Sequence, residues 1–209
     1  MRGRARLLIP VILLGVAIIL LLPINISPAV GSVSTEKITA VSTISIVADV
    51  VKNVGGDRVE SLSIVPLGGD PHVFQPTRND AELVEKADIV FYVGLGLEHW
   101  LTRLVENLRQ DSPLVRLSDG LRFRIDERTG EPDPHVWMDP TYVIQWTKRI
   151  ADALSNIDPK NYEYYHANAA RYIAELEELD RWIQSSLETM PPQNKKIITS
   201  HDAFRYFGA

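Results

Sequence analysis

From Ile38 onward the spacing of apolar positions changes repeatedly along the chain, and each change marks an element. Ala40 to Val47 is apolar and β-branched, which predicts a strand, and the amphipathic stretch that follows to Val54 predicts a helix. Gly55-Gly56 then ends that helix where a positive φ costs little. The unit recurs. Val59 to Val65 reads as a second strand, Asn79 to Ala87 as a helix capped by Asn79 or Asp80, and Ile89 to Val93 as a buried third strand. Glu98 to Leu108 predicts another helix and Pro113 to Leu117 a short fourth strand. Strands separated by helix-length segments pair in parallel through crossovers, so the fold class is α/β, an open sheet with helices on both faces. Such sheets bind ligands beyond the carboxyl ends of their strands.

After Pro140 the pattern becomes helical. Thr141 to Leu154 predicts one helix, and Asp158-Pro159 supplies a cap and a first-turn proline for a second that runs to about Leu187. Its apolar stripe, Tyr165, Ala169, Tyr172, Leu176, Leu179, Ile183 and Leu187, is continuous at three- and four-residue spacing. At 1.5 Å per residue such a helix extends roughly 43 Å, more than one small domain needs, so it is expected to connect two lobes. Pro191-Pro192 stops it, and Lys196 to Ser200 predicts a fresh strand that opens a new domain.

The amino terminus has a different character. Arg2, Arg4 and Arg6 precede an apolar run from Leu7 to Leu22, closed by Pro23 and a small, polar stretch. This predicts an export signal, with small residues from Ala29 to Gly31 as a cleavage site; at about 16 residues the run also suits an uncleaved anchor. Either way the remainder is expected outside the cytoplasmic membrane, on its periplasmic or extracellular face. The formal net charge of −5 offers no basic surplus for nucleic acid. With no cysteine in the sequence, thiol catalysis, zinc ribbons and a lipidated cysteine are excluded, and any metal must take His, Asp or Glu.

Three histidines sit in predicted strand-end turns. His72 lies in Gly68-Gly69-Asp70-Pro71-His72, His135 in Asp133-Pro134-His135-Val136-Trp137-Met138-Asp139-Pro140, and His201 after the strand predicted at Lys196. Prolines before the first two restrict the backbone and lessen what must be ordered when a ligand arrives. Neutral imidazole suits zinc and related divalent ions, and Asp70, Asp133, Asp139 and Asp202 stand close enough in sequence to orient the rings. On residues alone, a turn role for His72 and packing of His135 beside Trp137 fit equally well, because ligands this far apart carry no local signature. His99 and His166 read as structural or exposed helix residues. Gly94-x-Gly96 lacks the third glycine of a dinucleotide loop. Tyr162, Tyr164 and Tyr165 read as packing residues, and Glu175, Glu177, Glu178 and Asp180 as the solvated helix face.

Four segments stand out together: Gly69-Asp70-Pro71-His72-Val73-Phe74-Gln75-Pro76-Thr77, Gly94-Leu95-Gly96-Leu97-Glu98, Asp133 to Pro140, and Ser200-His201-Asp202-Ala203-Phe204-Arg205-Tyr206-Phe207. In combination they resemble the zinc- and manganese-uptake solute-binding proteins of ABC transporters. The resemblance covers about Ser42 to the end and implies His72, His135 and His201 as metal ligands in a cleft between two parallel-sheet α/β lobes joined by a long backbone helix. Together with the reading of the amino terminus, it divides the chain into an export signal or anchor (1–33), an N-terminal α/β lobe (34–157), the connecting helix (158–190) and the start of a C-terminal lobe (191–209). Most of that second lobe, and an acidic fourth ligand it carries in the family, are missing from this chain.

The resemblance implies no enzyme activity. It implies a monomer that captures a divalent metal and hands it to a membrane permease. Zinc is expected ahead of manganese, because His201 stands where manganese-preferring relatives often carry Glu, and nitrogen-rich sites suit zinc. The absence of histidine between Arg122 and Glu131, where zinc-specific members have a His-rich loop, weighs the other way. Two other readings stay open. One is a surface adhesion protein of the same family; the other is a secreted zinc hydrolase with Asp70 or Asp202 as general base.

Overall fold

The computed structural model describes residues 37–106 and 108–208, all within one compact unit spanning Thr35–Ala209. The expected export segment lies outside the described residues. Four strands, β1 (Ile38–Ser42), β2 (Val59–Ser63), β3 (Ile89–Tyr92) and β4 (Leu114–Arg116), form one wholly parallel sheet in the order β2-β1-β3-β4. The chain therefore steps from β1 to one side, then crosses back to build on the other. β1 and β3 flank the switch point, where ligands of such sheets bind.

Among the described residues five α-helices accompany the sheet: α1 (Ser45–Gly55), α2 (Arg78–Glu85), α3 (Leu101–Val105), α4 (Pro140–Ile157) and α5 (Tyr162–Thr189). Helices α1, α4 and α5 pack on one another, and α2 packs on α3. This is the grouping that right-handed crossovers give when strand order reverses. Ala40, Val41, Ile89, Val90 and Phe91 of the central strands are fully buried, with Val47, Val50, Val51 and Val54 of α1 against them.

The strand predicted for Ala40 to Val47 ends at Ser42, and the helix already begins at Ser45. Val47, Val50, Val51 and Val54 recur at helical spacing, and their burial overrides the β preference of valine. Gly56 ends α1 at φ 53°, and an added Cβ there would run into the Tyr164 hydroxyl. Tyr164 and Asn168 of α5 secure this terminus: Asp57 N donates to Tyr164 Oη at 3.1 Å, and Asn168 Nδ2 donates to the Val54 carbonyl at 3.0 Å. The end carbonyl of α1, which has no partner within its own helix, is thereby satisfied by α5.

Thr77 caps α2, in place of the predicted Asn79 or Asp80. Its own N–H donates to Asp80 Oδ2 at 2.7 Å in a capping box, so Asp80 is the reciprocating residue three positions on. Helix α3 is shorter than the predicted Glu98 to Leu108, since Gly94 to Trp100 form turns that bury Leu97, Glu98 and Trp100.

The long helix is present, with 28 residues, but its stripe is buried only as far as Leu176. Tyr165, Ala169 and Leu176 are buried, whereas Leu179 and Trp182 are exposed. The strand predicted for Lys196 to Ser200 does not form, and Ile198 is 99% exposed. A strand requires a neighbour to take its backbone hydrogen bonds, and among the described residues this segment has none.

Candidate metal centre

Parallel strands put every carboxyl end on one edge of the sheet, and the predicted histidine turns gather there. His72 lies in the loop after β2. Within it the His72 N–H donates to Asp70 Oδ1 at 2.9 Å, and Trp100 Nε1 reaches across to donate to the Pro71 carbonyl at 2.9 Å. Phe74 packs edge-on against Trp100 with ring centroids 5.0 Å apart. The loop is thus tied down on both sides of the imidazole. Sequence reasoning missed Trp100, which fell inside the helix predicted for Glu98 to Leu108 and carried no sign of a partner 29 residues away.

His135 follows β4 by a long connection that folds on itself. Asp126 N donates to the Glu131 carbonyl and Asp133 N to the Arg124 carbonyl, both at 2.8 Å, making a small antiparallel hairpin around an Ile125–Pro132 bridge. The buried Asp133 then meets His135 twice through one oxygen: Oδ1 accepts from the backbone N–H at 3.0 Å and lies 2.7 Å from ring Nδ1. The segment carrying His201 docks onto this hairpin. Tyr206 Oη accepts from Arg124 N and donates to the Asp133 carbonyl, each at 2.9 Å, while Arg205 Nη1 donates to the Ile125 carbonyl at 3.2 Å.

The three imidazoles converge. His72 Nε2 lies 3.2 Å and His201 Nε2 3.3 Å from His135 Nε2, and the three ligand atoms all fall within 4.8 Å of one another. Zn–N bonds of 2.0–2.1 Å in a tetrahedron place nitrogens roughly 3.3 Å apart, so this spacing suits one shared cation. His135 is buried; His72 and His201 are exposed. Burial and the neighbouring His135 hold the His72 imidazole below its ordinary pKa of 6.5, which favours the neutral form a metal needs.

Of the four carboxylates expected to orient rings, Asp133 is the one that reaches an imidazole. Asp70 is bound to the backbone of its own turn, Asp139 caps α4 by accepting from Thr141 N at 2.8 Å, and Asp202 pairs with Arg205 Nε at 2.6 Å. Those engagements also occupy both residues proposed as a hydrolytic base. His99 lies on the wall of the same cleft outside the group of three, and His166 stacks on Tyr162 of α5.

Behind the histidines, Glu98 joins the two central strands. Its Oε1 accepts from Thr43 Oγ1 at 2.7 Å and Val93 N at 2.8 Å, and its Oε2 from Gly94 N at 3.0 Å. Burial nonetheless outweighs these bonds and pushes its carboxyl above the ordinary range. The glycines in this motif are explained by backbone geometry. Gly94, Leu95 and Gly96 all have positive φ, and a Cβ on Gly94 would press on Ser118 and Arg116. Glu98, Arg116, Arg205 and the three histidines line a cleft of 820 Å³.

The chain is similar to several known metal-binding proteins. A 39% identical relative, over 83% of this chain and 57% of its own length, is the manganese-binding lipoprotein MntA of Halalkalibacterium halodurans. The iron ABC transporter substrate-binding lipoprotein MtsA of Streptococcus pyogenes is 36% identical, over 87% of this chain and 61% of its own. Among solved structures, Zn(II)-bound AdcA from Streptococcus pneumoniae superposes with a TM-score of 0.73 at 28% identity, covering 82% of this chain and 37% of that one. The chain therefore spans about three-fifths of the curated relatives it matches. The model of the family described as ZnuA, "Zinc-uptake complex component A periplasmic", matches residues 40–209, and with that match over most of its length the chain belongs to this family.

Proposed function

We propose that this chain is the metal-capturing portion of an exported solute-binding protein that delivers a divalent transition metal to an ABC transporter, with His72, His135 and His201 as ligands. The observation that carries this reading is that His72 Nε2 and His201 Nε2 lie 3.2 Å and 3.3 Å from His135 Nε2, with all three atoms within 4.8 Å of one another on the carboxyl edge of the sheet. The similar proteins are named for manganese, iron and zinc. For this chain the donor set favours zinc over manganese: three imidazole nitrogens fit a four-coordinate ion, whereas manganese prefers more oxygen. The division into an N-terminal lobe, a connecting helix and the start of a second lobe belongs to the same reading. So does the location outside the cytoplasmic membrane, with release driven by a permease that favours the open state. Among the described residues no helix is long and apolar enough to cross a membrane.

The test is metal content by elemental analysis, with competition titrations against zinc and manganese, on protein purified without a metal-binding tag. About one zinc per chain is expected, held tighter than manganese and lost in His72→Ala and His135→Ala. Zinc binding unchanged in both variants overturns the ligand assignment.

A further inference from the structure

The tripeptide Asp-Pro-His occurs twice, at Asp70-Pro71-His72 and Asp133-Pro134-His135, and the two copies share one backbone device. In each, the histidine N–H donates to the Oδ1 of the aspartate two residues earlier, at 2.9 Å and 3.0 Å respectively. Beyond that they differ. Asp70 is exposed and its carboxylate meets only backbone, whereas Asp133 is 4% exposed and its Oδ1 also lies 2.7 Å from Nδ1 of His135. Among the described residues Asp133 Oδ2 is buried without a hydrogen-bond partner, so the carboxylate's contact with His135 is its principal side-chain engagement. Its backbone carbonyl is held separately by Tyr206 Oη.

A carboxylate accepts and does not donate, so the proton between these two groups belongs on Nδ1 of the imidazole. Nε2 is then left with its lone pair, and Nε2 is the atom that faces His72 and His201. The structure assigns Asp133 as the positioning residue that presets His135 as its Nδ1–H tautomer, making it the preformed member of the three-histidine site, while Asp70 shapes only a turn. This rests on the reading of His135 as a metal ligand. Outer carboxylates of this kind fix ring orientation and raise ligand basicity, and removing one typically weakens metal binding about 10–100-fold.

The experiment uses the full chain, metal-free and uniformly ¹⁵N-labelled, with long-range ¹H–¹⁵N spectra of the histidine rings assigned by comparison with His135→Gln. Wild-type protein is expected to show His135 protonated at Nδ1 and bare at Nε2. Asp133→Ala should shift His135 toward the Nε2–H form and weaken zinc about 10–100-fold. Asp70→Ala should leave the tautomer of His72 unchanged. Asp133→Asn, which keeps the side chain's shape without its charge, serves if the alanine variant does not fold, and should still weaken zinc more than threefold. A His135 that keeps Nδ1–H in a folded Asp133→Ala, or zinc affinity within twofold of wild type in a folded variant of Asp133, overturns the assignment. Wild-type protein that binds no zinc yet shows the expected tautomer would instead sink the ligand reading alone.

Discussion

Thr43 Oγ1 donates to Glu98 Oε1 at 2.7 Å, a buried bond that joins the end of β1 to the turn after β3 at the switch point of the sheet. Two backbone N–H groups, from Val93 and Gly94, share the same carboxylate. Glu98→Ala would leave the buried Thr43 hydroxyl and both N–H groups without this partner, at a cost of about 1–3 kcal/mol per orphaned group less whatever water entering from the cleft recovers. A clear fall in the denaturant midpoint of unfolding is expected; a midpoint unchanged from wild type would mean that water replaces the carboxylate freely.

The same carboxyl predicts a pH signature. Its folded-state pKa is raised above 4.5, chiefly by burial, so between 4.5 and the raised value the folded protein holds more protons than the unfolded one. Its stabilising contribution is therefore fully present below 4.5 and is lost as pH rises through the folded-state value. Glu98→Gln cannot titrate, so the stability of wild type relative to this variant should decline as pH rises across that window. Urea unfolding of both proteins at closely spaced pH values reads the difference directly.

How much of this was legible in the sequence depends on range. The Asp-Pro-His turns could be read because proline restriction acts within a few positions, whereas the bond from each aspartate to the histidine N–H two residues on emerged only in the structure. Helices α1, α4 and α5 were legible as apolar periods. Thr43–Glu98 spans 55 residues and Trp100–Pro71 spans 29, and nothing in local pattern selects either partner. The strand predicted at Lys196 to Ser200 shows the limit most plainly: Ile197 and Ile198 have strand propensity, but pairing belongs to a neighbour that the segment itself does not contain. Tyr206, which places the His201 segment against Arg124 and Asp133, stood in a recognised motif without any sign of its partners.

Proton competition should govern capture. Coordination requires neutral imidazole, and the His72 pKa lies below 6.5 because the ring is partly buried and faces His135. Zinc affinity is expected to be nearly level from pH 8 to 7. Below about 6 it should fall roughly tenfold per pH unit for each imidazole that must shed a proton. Competition titrations across this range check the slope, and undiminished affinity at pH 5 would contradict three-histidine ligation.

Trp100 offers a test of how the His72 loop is held. Trp100→Phe keeps an aromatic ring against Phe74 but removes the Nε1–H donated to the Pro71 carbonyl, one residue before the ligand. Loss of one such bond costs about 0.5–1.5 kcal/mol, and here the cost should fall mainly on metal binding, because the freed loop must be ordered again when the ion arrives. Zinc affinity several-fold weaker with the thermal midpoint shifted by only a few degrees is the expected pattern. Equal affinity would show that the prolines, the Asp70 bond and the Phe74 packing hold the turn without the indole N–H.

Tyr206→Phe probes the opposite wall. The variant keeps the ring packed on Tyr142, at 5.4 Å between centroids, while deleting the hydroxyl that bridges Arg124 N and the Asp133 carbonyl. Both backbone groups lose a partner at once, so the cost should exceed that of a single bond, about 1–3 kcal/mol. Arg205 still ties the segment to Ile125 and pairs with Asp126, so the chain from Ala203 to Phe207 should remain docked with more freedom, and His201 with it. Hydrogen exchange at the Arg124 amide should accelerate, and zinc should dissociate faster with little change in association. If exchange accelerates while zinc release does not, the docking of this segment and the hold on the metal are independent.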